Sequence, residues 1–245
     1  MSETFANAYG RLAAAQKGHA RGAPAYSVYL NRRMGRVFAA LAYRWGWTPN
    51  GATAVSAVFT FVGIALIALG PFTWWSGVAI AVLLVLGYAW DSADGQLARL
   101  RGGGSLAGEW LDHFIDSLKH ATLHLAVLIG LWRVPELRDT AWLLIPLAFS
   151  AIGVVTFFGM LLNDLLKAKQ GVPSTHARAG GTFSRSLLML PTDYGVLCLV
   201  FVFWGWGPVF LLFYGILMLL NGVFLSLAAV KWFRETRALD RSIAA

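Results

Sequence analysis

Six apolar runs, each close to 20 residues, fall at about 52–70, 74–92, 109–132, 140–163, 186–205 and 207–230. An α-helix needs roughly 20 such residues to cross the hydrocarbon core of a bilayer. Composition agrees: 58% of the chain is hydrophobic and only 13% is charged, where a soluble domain is nearer a quarter charged. The expected fold is therefore an all-α integral membrane protein, with six transmembrane helices preceded by an amphipathic interfacial helix. The connectors at 71–73, 133–139 and 205–207 are short, so the runs belong to one unit. The chain divides into an N-terminal segment (1–51) with the interfacial helix, a six-helix membrane domain (52–232) and a C-terminal tail (233–245).

Charge sets the orientation. The formal net charge of +8 suits nucleic acid or an anionic membrane surface, and with this composition the membrane surface is the partner expected and nucleic acid is not. Arg11, Lys17, Arg21, Arg32, Arg33, Arg36 and Arg44 precede the first run. Arg99 and Arg101 lie between the second and third, Lys167, Lys169, Arg178 and Arg185 around the fourth-to-fifth connection, and Lys231, Arg234, Arg237 and Arg241 at the end. The other side holds only Arg133 and Arg138, beside Glu136 and Asp139. The positive-inside rule then makes both termini cytoplasmic, which requires an even number of spans. No secretory signal is visible in the first 25 residues. The expected location is the cell's inner, cytoplasmic membrane. Cys198 is the single cysteine, so no disulfide framework is possible. Ahead of the first run, Met34, Phe38, Leu41 and Trp45 make one helical stripe and Arg33, Arg36 and Arg44 another, as an interfacial helix does.

Against this background the stretch DSADGQLARLRGGGSLAGEWLDHFID (91–116) carries four aspartates. A carboxylate inside a span is costly and marks function by default. Asp91 and Asp94 are three residues apart and Asp112 and Asp116 four apart, so each pair shares a helix face. The glycines of RGGGS tolerate a sharp bend. Counting outward from Gly103, Asp94 and Asp112 are each nine residues away, and Asp91 and Asp116 twelve and thirteen. An antiparallel hairpin therefore brings both pairs to one depth, facing each other. A lone aspartate in a span can be neutralised by a neighbouring Lys or His, but four like charges at this spacing point to divalent cations. Oxygen-only ligands favour Mg²⁺, Mn²⁺ or Ca²⁺ over zinc. Two such cations side by side are a recurring arrangement for displacement at phosphorus. Gly95, Ala98 and Gly108 leave room for a bulky substrate, and Arg99 suits a phosphate.

The pattern Asp91-x2-Asp94-Gly95-x2-Ala98-Arg99-x8-Gly108-x3-Asp112-x3-Asp116 resembles the full signature of the CDP-alcohol phosphotransferase family, with no departure at any defined position. The resemblance implies an enzyme of phospholipid biosynthesis. An acceptor hydroxyl attacks the phosphorus of a CDP-linked donor farther from cytidine, and CMP leaves. It implies two divalent cations, Mg²⁺ or Mn²⁺, held by Asp91, Asp94, Asp112 and Asp116, with Asp116 also the general base. Asp94, Gly95, Ala98, Arg99 and Gly108 would meet the nucleotide. A homodimer and an active site facing the cytoplasm are implied too. Either the donor or the acceptor is the lipid. The stretch GEWLDHFIDSLKH is similar to the motif's end in choline and ethanolamine phosphotransferases, which favours a soluble donor.

Outside the motif, His120 and His124 share a face of the third run; lining an acceptor pocket and being satisfied inside the bundle are both open to them. Arg178 and Arg185, in the long fourth-to-fifth connection, are candidates for the acceptor's phosphate or headgroup, as is His120. Asp193 suits a pairing with one of these arginines and is assigned no chemistry. Two rival functions remain: a divalent-cation transporter, whose path acidic residues also mark, and a catalytically inactive membrane scaffold.

Overall fold

Thr48, Thr73 and Ser105 each stand one residue before a long helix, in extended conformation. Their hydroxyls accept hydrogen bonds from the amides of Gly51 (3.1 Å), Ser76 (3.3 Å) and Gly108 (3.1 Å), so three spans begin at a side-chain cap. Pro49 follows Thr48 at the first helical position, where its missing N–H costs nothing. In the computed structural model, which describes residues 4–14, 23–173 and 181–243 and side chains up to 240, every regular element among the described residues is a helix. In order come α1 (Phe5–Ala14), α2 (Arg32–Arg44), α3 (Pro49–Leu69), α4 (Trp74–Leu100), α5 (Leu106–Trp132), α6 (Leu144–Lys169), α7 (Phe183–Leu188), α8 (Tyr194–Val200) and α9 (Gly207–Ile243). Among the described residues five segments are long and apolar enough to cross a membrane: Pro49–Leu69, Trp74–Leu100, Leu106–Trp132, Ala141–Lys169 and Gly207–Asp240.

The run at 186–205 is not one helix, and the expected count of six long spans is not met. Pro191 lacks the amide that a continuing helix uses, and the side chain of Asp193 turns back to cap α8, accepting from Gly195 N at 2.9 Å. Beyond this break, Tyr194–Phe203 is a short apolar helix. At one end Tyr194 meets Tyr88 of α4 edge-on at 5.2 Å. At the other end Trp204 closes over Gly77, whose missing Cβ would lie 2.8 Å from that of Trp204. The eleven-residue step along α4 from Gly77 to Tyr88 measures about 16 Å, roughly half a bilayer core.

The bundle thus has two ends. One is aromatic: Phe72, Phe201, Phe210 and Tyr214 gather about Trp204, with Phe72–Trp204 at 4.9 Å and Trp204–Phe210 at 5.0 Å. The other carries the glycine loop between α4 and α5, where Gly102 (φ +93°) and Gly103 (φ +139°) take conformations that L side chains avoid. α3 packs along both α4 and α5, and α6 lies on α5 and α9. The N-terminal helices and the far end of α9 lie at the glycine end. There Ala8 and Leu12 of α1, Ala39, Ala40 and Ala42 of α2, and Leu97 and Leu100 of α4 form one buried cluster. α2 meets α4 through small residues, with Gly35 against Ser92. Of the expected apolar stripe, Phe38 stacks on Trp90 at 4.9 Å, while Trp45 is exposed. Tyr26 lies against Gly195, and its burial raises the phenol to about 12.

Candidate active site

Both α4 and α5 pack on α3 more than on each other, so the hairpin does not close on itself and leaves an opening between its arms. Into that opening Asp91, from α4, and Asp112 and Asp116, from α5, each direct a carboxylate oxygen, and the three atoms lie within 4.8 Å of one another. Their neighbour is Lys119, one turn beyond Asp116. Its buried ammonium donates to Asp116 Oδ1 at 2.5 Å and to Asp91 Oδ1 at 3.3 Å. The fourth aspartate points elsewhere. Asp94 Oδ2 accepts from Thr53 Oγ1 of α3 at 2.7 Å, and its Oδ1 accepts from the amide of Gly95 at 2.5 Å.

Three carboxylates against one ammonium leave net negative charge in a low-dielectric pocket. Every converging donor is a hard oxygen, a set that suits a divalent cation of the Mg²⁺ or Mn²⁺ kind. Lys119 offsets part of this charge, since a buried ammonium persists only where anions surround it. The residues present therefore fit the cations implied by the motif.

The remaining motif positions are unequal. Gly95 and Arg99 are exposed on the last turns of α4, and a Cβ on Gly95 would meet nothing nearer than Arg99 Nη1 at 3.9 Å. Ala98 is half-buried between them. Gly108 sits in the first turn of α5, where a Cβ would stand 3.1 Å from Asn50 Oδ1 and 3.2 Å from Ser105 Oγ. Part of its smallness thus serves the approach of α3 to α5. His120 stacks on Phe157 of α6 at 5.1 Å and lines an apolar groove of about 350 Å³ with Trp110, His113, Phe114 and Ser117. This groove is on the neighbouring face of α5 from the carboxylates. His124 is a core residue: Nδ1 lies 2.6 Å from Tyr214 Oη and the ring stacks on Phe149 at 4.0 Å. Arg185 is exposed on α7, and Arg178 lies outside the described residues. Among the described residues Asp193 pairs with no arginine; besides capping α8 it accepts from Ser27 N at 2.7 Å. Lys167 is bound to Glu235 of α9 at 2.6 Å.

Two residues at the site carry no motif letter. Lys119 was findable from spacing, standing three residues after Asp116 and seven after Asp112, on the same stripe of α5. Thr53 was not, because only tertiary packing sets α3 against Asp94.

Comparison with known proteins identifies the family. The CDP-alcohol phosphatidyltransferase family model matches residues 47–234, from the start of α3 into α9. The chain is also similar to the phosphatidylinositol phosphate synthase of Corynebacterium glutamicum, with 35% identity over 140 residues. That match covers 56% of this chain and 57% of the relative, so the chain spans little more than half of the curated protein it matches. With the family model covering most of the chain and the motif's carboxylates converging in the fold, the protein belongs to the CDP-alcohol phosphatidyltransferase family.

Proposed function

We propose that this protein transfers a substituted phosphate from a CDP-linked donor to an acceptor hydroxyl, with release of CMP, in the opening between α4 and α5. The observation that carries this reading is the convergence of Asp91, Asp112 and Asp116 at the motif's own positions. Two divalent cations, held by these three and Asp94, would supply neutralisation of the pyrophosphate and polarisation of its phosphorus. The chain's residues do the rest. The open face at Gly95 admits the nucleotide, and the exposed Arg99 guanidinium orients its phosphates. Asp116, whose side chain is 24% exposed, takes the acceptor's proton as the acceptor oxygen bonds to the phosphorus farther from cytidine. The bridging P–O bond breaks, and its electron pair leaves with CMP.

The likeness to a phosphatidylinositol phosphate synthase supports CDP-diacylglycerol as donor and a phosphorylated polyol as acceptor. The groove of Trp110, Phe114 and Phe157, on the helix that carries Asp112 and Asp116, supports a substrate with acyl chains. A second reading rests on Gly108-Glu109 and Asp116-Ser117-Leu118: a soluble CDP-alcohol donating to a diglyceride. On either reading the glycine end, with Arg99 and Arg101, faces the cytoplasm, α2 lies at the inner leaflet, and the protein works as a homodimer. One assay separates the readings. Purified protein is incubated with CDP-diacylglycerol and inositol phosphate, and separately with CDP-choline or CDP-ethanolamine and diacylglycerol, each with Mg²⁺, Mn²⁺ or EDTA. Metal-dependent CMP release is expected in the first arm. Release only in the second selects the soluble donor, and release in neither rejects the transferase.

A further inference from the structure

Lys119 is an unusual neighbour for a cation site. Its side chain is only 5% exposed, and two of its three N–H bonds are spent on Asp91 and Asp116. A divalent cation shared by the same carboxylates would meet this ammonium at contact range, where like charges repel strongly. The lysine has no solvent to retreat into. It does have a second perch: Nζ lies 5.3 Å from the ring centroid of Tyr194 at the head of α8, and the Tyr194 hydroxyl is buried without a well-formed hydrogen bond, with only the weak thiol of Cys198 as its polar neighbour. A poorly paired buried hydroxyl is costly unless something comes to meet it.

We infer that Lys119 is a tethered counter-ion that holds the carboxylates together until a divalent cation enters, and that its ammonium then moves onto the hydroxyl of Tyr194. The inference rests on the reading that these carboxylates bind a divalent cation. Lys119 is thus a positioning residue. It keeps three like charges from splaying the hairpin while the site is free of metal, and its displacement lowers the affinity for the ion that replaces it. Tyr194 offsets part of that loss.

The test titrates the full-length protein, purified in detergent and stripped with EDTA, with Mn²⁺ by calorimetry, and melts it with and without the metal. Wild type is expected to bind Mn²⁺. Lys119→Met is expected to bind at least about tenfold more tightly, because a repelling charge is gone. Its Tm is expected to fall in EDTA and to recover with Mn²⁺, whereas a merely structural lysine would lower Tm in both conditions and leave affinity alone. Tyr194→Phe removes only the second perch, so its Tm in EDTA is expected to hold while Mn²⁺ affinity drops about fivefold. Unchanged or weaker binding in Lys119→Met overturns the inference and spares the metal reading. If that variant does not fold, wild-type affinity in Tyr194→Phe overturns it instead. Absence of Mn²⁺ binding in wild type overturns both.

Discussion

Gly95 and Gly108 carry the same letter in the motif and meet different surroundings. A methyl group on Gly95 enters open space, while one on Gly108 presses on Asn50 of α3. Gly95→Ala is therefore expected to leave stability unchanged, or to raise it by up to about 1 kcal/mol through helix propensity. If the open space belongs to the nucleotide, the same change weakens donor binding. Melting curves and CDP-alcohol titration read the two effects separately, and undiminished binding would remove Gly95 from the nucleotide site. Asp116 differs from its neighbours in its assigned role. Asp116→Asn keeps the size and one oxygen ligand but cannot take a proton, so turnover is expected to fall about 10²–10⁴-fold. Mn²⁺ and donor binding should persist in this variant. Donor binding lost in step with single-turnover rate would mean that Asp116 only ligates and that another group is the base.

Among the elements, α3 contributes no motif residue and yet sets the site's shape. It meets α4 where Gly87 faces Ser56 and Thr60, with Ser56 Oγ donating to the Gly87 carbonyl at 2.8 Å. A Cβ on Gly87 would collide with Thr60 Oγ1 and stand 3.1 Å from the Thr60 amide. Gly87→Ala is thus expected to cost about 1–3 kcal/mol and to draw Thr53 away from Asp94, seen as a lower denaturation temperature together with reduced turnover. The role of α3 also marks the limit of what sequence could tell. Run lengths locate α3 to α6 and α9 to within a few residues at most ends, and spacing puts Asp112 and Asp116 on one face. Spacing says which face a residue takes and nothing of the partner it finds. Spacing alone predicts a closed, four-sided hairpin, whereas packing on α3 opens it and draws Asp94 aside. The broken run at 186–205 is legible in Pro191 and Asp193, but a count of apolar residues gives neither enough weight. α1 is ten residues with one buried edge, too short for its pattern to stand out.

Taken whole, the described residues run end to end in α3, α4, α5, α6 and α9, returning between the last two through residues 183–206, so α1 and the far end of α9 belong to the glycine end. In a Cys198→Ala background, Gly104→Cys is expected to react with an impermeant maleimide only from the cytoplasmic side, and Asp139→Cys only from the opposite side. Labelling of both from one side would overturn the orientation. The carboxylate of Asp193 also joins the beginning of the chain to its later part, across 166 residues, through the amide of Ser27. On the ribosome that separation becomes an interval of time. The segment ahead of α2 is made early and waits for its partner until most of the protein has been synthesised, and closing so long a loop is slow. Chains arrested at residue 190 are expected to be cut by protease ahead of α2 at a position that finished chains protect. For that interval each new copy already holds all four motif aspartates, while Tyr194, the aromatic neighbour of Lys119, has yet to be translated.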